Sequence, residues 1–69
     1  PDAPLARERI LDAAEARLLK HGPKGLVLEA VARDAGVSKG GLLYHFASKD
    51  DLVDGLIARM LDSFDVVQA

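Results

Sequence analysis

Val31-Ala-Arg-Asp-Ala-Gly-Val-Ser-Lys-Gly-Gly-Leu-Leu-Tyr-His-Phe46 is the stretch on which the fold turns. Its first part predicts the end of a short helix, about Leu28 to Ala35, with Val31, Ala32 and Ala35 facing inward and Gly36 stopping it. A sharp turn between two helices needs a residue free to take positive φ, and Gly36 supplies one. Val37 then plugs the angle between the helices, and the small Ala32 and Ala35 let them approach closely. The Ser38 hydroxyl can accept from backbone N–H groups two or three residues on, so it caps a second helix, about Lys39 to Phe46. Two short helices joined in this way form a helix-turn-helix, whose second helix enters the major groove N-terminus first while the first lies across the backbone.

The neighbouring glycines sharpen this reading. Gly40 and Gly41 each weaken a helix by about 1 kcal/mol relative to Ala. Stability alone does not explain two of them in eight residues, so the absence of side chains is the useful property. Close approach of the backbone to DNA is one explanation. A loop in place of a recognition helix is the other.

Outward from the motif the pattern is helical throughout, with no strictly alternating stretch. A first helix is expected from about Leu5 to His21. Ile10, Ala14 and Leu18 recur every four residues, and Leu11 and Ala13 widen the stripe. Pro4 suits its first turn, and Gly22 a left-handed C-terminal position. Gly22-Pro-Lys-Gly25 reads as a turn. Ser48 opens a fourth helix, with Asp51 three residues later in a near relative of the capping box. In that helix Leu52, Leu56, Met60 and Phe64 form one row, and Val53, Ile57 and Leu61 a second, which predicts burial along a broad face.

The whole is one small all-α domain of 69 residues, without room for a second core. There is no Cys, so neither disulfides nor thiolate metal sites hold it together, and His21 and His45 alone do not make a zinc site. No cofactor is called for. No apolar run approaches the ~20 residues of a membrane span, and no signal-peptide pattern is present. The expected compartment is the cytoplasm. The first residue is Pro, and the last turn still carries Phe64, Val66 and Val67, so the natural chain is expected to continue.

Charge is the observation that resists a nucleic-acid reading. Nine Lys and Arg against eleven Asp and Glu give a net charge of −2, whereas DNA binders usually show a basic footprint. At a phosphate backbone, however, what counts is the charge on one face within a Debye length of ~8–10 Å. Asp50, Asp51, Asp54, Asp62 and Asp65 concentrate on the fourth helix, away from the expected DNA face, and this segregation of acids resolves the objection.

Residues 31–52 resemble the TetR family pattern I-A-x-x-A-G-V-S-x-G-x-L-Y-x-H-F followed by x-S-K-x-x-L. Ile10-Leu11-Asp12-Ala13-Ala14 and Lys20-His21-Gly22 are similar to that family's first helix, and the likeness extends over about residues 6 to 66. It implies a homeodomain-like bundle of about four helices, with the helix-turn-helix at about 28–47 and the fourth helix starting at 48. It also implies a regulator, in the usual case a repressor, that binds double-stranded operator DNA as a homodimer of the full-length protein. A small-molecule effector would act through a C-terminal domain that is absent from these residues. By the same resemblance, Ser38, Lys39, Gly40, Gly41, Leu43, Tyr44, His45 and Lys49 form the DNA-binding set. Lys39, Gly41 and Tyr44 would face the groove and His45 the phosphates. Lys49 would meet a phosphate together with the free N–H groups of its helix. Phe46 would be core.

The chain departs from the family pattern at three places. Val27 and Leu28 stand where a capping Thr or Ser is usual, with Glu29 as the nearby acid. Leu43 stands where Tyr is usual, which moves the aromatic contact to Tyr44. Gly41 replaces a side chain. Elsewhere the ordinary readings are a C-terminal dipole partner for His21, a solvated acid or cytosine acceptor for Glu29, and a solvated face for Arg7, Arg9, Arg17, Lys20 and Lys24, with Arg7 or Lys24 within reach of phosphates as the alternative. The rival function is a small helical protein-interaction module whose twin glycines pack against a partner helix. An enzyme has no nucleophile–base pair, metal cluster or phosphate loop behind it.

Overall fold

The computed structural model describes residues 2–68, and the side-chain surroundings of residues 5–62. Its elements in chain order are α1 (Asp2–His21), a single 3-10 turn (Pro23–Gly25), α2 (Leu28–Ala35), α3 (Lys39–His45) and α4 (Lys49–Gln68). Among the described residues there is no strand. Helix α1 begins earlier than expected, at Asp2, with Pro4 inside its first turn where a missing N–H costs no hydrogen bond. It ends at Gly22, which has φ 74° and ψ −168°. That is positive φ with an extended ψ, a region essentially reserved for glycine, and not the left-handed helical cap that was expected.

The core is built from one stripe of each helix. Ile10, Leu11 and Ala14 of α1, Val31, Ala32 and Ala35 of α2, Leu42 of α3, Phe46, and Leu52 and Leu56 of α4 are all buried, with Leu26 closing the side near the 3-10 turn. Leu18, Val37 and Val53 are half-buried against it. Two glycines set how closely these elements approach. A Cβ on Gly55 would stand 2.7 Å from Phe46 Cε1 and 3.4 Å from Leu11 Cδ2, so α4 rests directly on the Phe46 ring. A Cβ on Gly25 would lie 2.7 Å from the Arg17 carbonyl oxygen.

The expected broad burial of α4 is not found. Leu52 and Leu56 are buried, but Ile57, Met60 and Leu61 are exposed, as is Leu19 of α1 beside them. The reason is facing: α4 meets α1 through the side that carries Leu52, Leu56 and Arg59, and the row of Ile57 and Leu61 lies around the helix from it. Phe64, Asp65, Val66 and Val67, also read as α4 residues, have side chains outside the described residues.

Two arginines tie the helices together. Arg17, expected on a solvated face, instead donates from Nε to the Gly25 carbonyl at 2.6 Å and from Nη1 to Asp34 Oδ2 at 3.1 Å, joining α1 to the 3-10 turn and α2. Side chains that cross a helix junction are shielded by what they join, and a one-helix periodicity does not reveal this. Arg59 of α4 donates to Asp12 at 2.7 Å, Glu15 at 2.6 Å and Glu8 at 3.3 Å. Its acceptors lie at i, i+4 and i+7 on one face of α1. Partial burial works against the charge, but the bonds to Asp12 and Glu15, the Asp12 charge and the Glu8 bond outweigh it and hold the guanidinium above its ordinary pKa.

Candidate nucleic-acid interface

The helix-turn-helix is made by two caps acting in series. Gly36 takes φ 74° and ψ 28°, and its N–H donates to the Arg33 carbonyl at 3.1 Å while the Val37 N–H donates to the Ala32 carbonyl at 3.0 Å. This pair of bonds is the Schellman arrangement, which satisfies the last carbonyls of α2 and turns the chain at once. Ser38 follows in extended conformation, and its Oγ accepts from the Gly41 N–H at 2.9 Å to start α3. The turn and the cap lie where the sequence predicts them. At the other end α3 stops at His45, one residue short of expectation, because Phe46 leaves the helix at φ −136° to enter the core.

Once Leu42 and Phe46 are buried, the rest of α3 is placed by helical geometry. Leu42 and Phe46, four apart, anchor the inner side. Lys39, Gly40, Leu43 and Tyr44 then fall outward, and Gly41 and His45 lie half-buried at the flanks. Tyr44 is 85% exposed, unusual for a large aromatic side chain in a domain with so small a core. Its ring meets the His45 imidazole edge-on, with centroids 5.2 Å apart. The Phe46 ring, pinned by α4, also lies under the Arg7 guanidinium at 5.3 Å. The exposed face of α3 is therefore carried on a fixed base.

The twin glycines have different surroundings. Nothing but Ser38 Oγ, at 4.0 Å, comes near the place a Gly40 Cβ would take, so internal packing does not call for glycine there. A Gly41 Cβ would sit 3.2 Å from Ser38 Oγ, crowding the capping bond. The alternative of a loop at 39–46 is excluded for Lys39–His45, which is helical.

The flanking helix ends complete the surface. Helix α2 has no side-chain cap at Val27, as the departure from the family pattern foretold. Glu29 in its first turn is exposed and approaches Lys39, Oε1 to Nζ, at 4.0 Å. Helix α4 is capped by Ser48, whose Oγ accepts from the Asp51 N–H at 3.2 Å, and Lys49 is its exposed first residue. Among the described residues no carboxylate lies within 4 Å of Lys49, although Asp50 and Asp51 occupy the same turn. The segregation of acids from this surface is thus incomplete. Gly55, Arg17 and Arg59, which fix α3 and its supports, escaped the sequence reading. The signal for Arg59 was present: it is the one cation of α4 beyond Lys49, opposite an acidic row on α1.

A capped short helix, held across a tight turn from a second and presenting an exposed face from a buried anchor, defines the helix-turn-helix class of DNA-binding regulators. The family model described as "Bacterial regulatory proteins, tetR family" matches residues 10–56. The chain belongs to the TetR family of bacterial regulators. It is 36% identical over 56 residues to the HTH-type transcriptional repressor KstR2 of Mycobacterium tuberculosis, covering 81% of this chain and 28% of that protein. It is 33% identical over 64 residues to the HTH-type transcriptional regulator TtgR of Pseudomonas putida, covering 93% and 30%. With the HTH-type transcriptional regulator RutR of Escherichia coli it shares 41% over 56 residues, covering 81% and 26%. The chain therefore spans less than a third of the length of these relatives. No solved structure matches it significantly. No helix of the described residues is long and apolar enough to cross a membrane.

Proposed function

We propose that residues 6–66 are the DNA-reading domain of a bacterial transcriptional regulator, with the helix-turn-helix at 28–47, acting in the cytoplasm on double-stranded operator DNA. The protein represses as a homodimer on a pseudo-palindromic site and is released when a small molecule binds a separate C-terminal domain. It performs no catalysis. Lys39, Gly40, Leu43 and Tyr44 form the groove-facing side of α3, with Gly41 at its half-buried edge. Ser38 and His45 flank it, and Lys49 meets a phosphate at the start of α4. The observation that carries this reading is the outward face of α3, where Tyr44 stands 85% exposed on the side of the helix opposite fully buried Leu42, two residues before it.

The exposed strip Leu19, Ile57, Met60 and Leu61 favours a protein-contact role in addition. It belongs to α1 and α4, not to α2 or α3, so it does not compete with DNA for the same surface. The test is salt-dependent binding to duplex DNA. Lys49→Ala should weaken binding on every sequence alike and lower the slope of log K against log salt by about one. An unchanged slope removes Lys49 from the phosphate contacts, and no salt-dependent binding at all by the native chain removes the reading itself.

A further inference from the structure

A carboxylate on a DNA-binding surface is repelled by every phosphate it approaches, so Glu29 needs an explanation. It stands in the first turn of α2, where an acid complements the helix dipole. Yet it makes no hydrogen bond to the open N–H groups of its own helix, and 76% of its side chain is exposed. Instead its Oε1 lies 4.0 Å from Nζ of Lys39, the first residue of α3. Both groups are largely in water, where such a pair is weak and readily rearranged.

A carboxylate offers acceptors only, and an ammonium offers donors only. Side by side, at the leading end of the helix that enters the groove, they present an accepting group next to a donating group. Phosphate oxygens are all acceptors and match only Lys39. The exocyclic amino groups of bases are the donors that DNA displays in the major groove, so only a base edge satisfies both groups together. A G·C pair fits best. Guanine O6 and N7 are two acceptors suited to lysine, and the cytosine N4 amino group beside them is the donor suited to a carboxylate. An A·T pair also sets a donor beside an acceptor, but it puts the thymine methyl at that edge.

We propose that Glu29 and Lys39 act as one reading element for a G·C pair. Lys39 Nζ donates to guanine O6 and N7, while Glu29 accepts from the N4 amino group of the paired cytosine. The element rests on the helix-turn-helix reading above, and it trades affinity for selectivity: the carboxylate weakens attraction to DNA in general and rewards one base pair.

The experiment uses the whole chain and a duplex selected from a randomised pool, together with every single-base-pair variant of that duplex and an unrelated duplex. The native chain should prefer G·C at one position by about tenfold or more. Glu29→Gln keeps the shape and loses the charge. It should bind the unrelated duplex more tightly and lose most of the G·C preference at that position, because an amide pairs as well with adenine. Lys39→Met should lose the preference at the same position. The inference is overturned if Glu29→Gln leaves discrimination unchanged everywhere, or if the two substitutions act at different base pairs. Salt-dependent binding by the native chain with no G·C preference anywhere overturns this inference alone, whereas absence of binding to any duplex overturns the DNA reading with it.

Discussion

The arginines of the α1 seams and the lysines that open α3 and α4 use positive charge in opposite ways. Arg59 is held by three carboxylates at 2.6–3.3 Å, and Arg17 by a carbonyl and a carboxylate at 2.6 and 3.1 Å. Both are largely covered, with 25% and 20% of the side chain exposed. Lys39 has one partner, at 4.0 Å, and Lys49 has none within that distance among the described residues. A guanidinium can satisfy several acceptors at once in fixed geometry, and an ammonium is a mobile, strongly hydrated point charge. The seams spend their cations on the protein itself. The other surface keeps its cations available.

This contrast breaks most visibly at Arg17. Arg17→Met keeps the aliphatic stem but removes the bonds to Gly25 and Asp34. Hydrogen bonds from charged groups contribute about 1.5–3 kcal/mol, and for a domain of this size that corresponds to a fall in Tm of roughly 10 °C. Thermal unfolding followed by circular dichroism reads it directly. A loss below about 0.5 kcal/mol, the range of ordinary surface substitutions, would return Arg17 to the solvated face.

Arg59→Met should have the second-largest effect, about 1 kcal/mol, since its network is stronger than an isolated surface pair yet still reached by solvent. Salt supplies the sharper reading. At 1 M the screening length is about 3 Å, so the native chain should lose part of this stabilisation while the variant, lacking the charge, should not. The gap between the two should narrow as salt rises. A gap that stays constant would assign the effect to packing of the Arg59 stem.

Much of this is legible in the sequence. The Gly36 turn, the Ser38 and Ser48 caps and the buried stripe of α2 are local properties, set by residues within four positions of one another, and they appear where the pattern puts them. What escaped is relational. The glycine at 55 matters because Phe46 lies 2.7 Å from its missing Cβ, a contact between different elements. Arg17 reads as a surface residue on its own helix, Arg59 has no role in the sequence pattern, and both become structural only once a second helix is placed. The apolar rows of α4 predicted burial for Ile57, Met60 and Leu61 because amphipathicity reports the capacity to be buried, and not what covers the face. On the candidate surface, the exposure of Lys39, Leu43 and Tyr44 follows from the phase of α3, which Leu42 and Phe46 fix.

The smallest effect on stability, and the most telling, belongs to Lys49. As the first residue of α4 it stands at the positive end of a helix dipole, where a cation is unfavourable by about 0.3–1 kcal/mol at low salt. No carboxylate within 4 Å among the described residues offsets this through an ion pair. Lys49→Ala should therefore leave the fold unchanged or raise Tm slightly, and the gain should fade as salt screens the dipole. A residue kept at a position that weakly destabilises its own helix fits a task outside the fold, as local rules are broken mainly at functional sites. Arg59→Met, ten residues along the same helix, should move stability the other way in the same buffers. If Lys49→Ala instead lowers Tm by as much as Arg59→Met, Lys49 is holding the protein together, and the division between spent and available cations fails at the position where it is drawn most sharply.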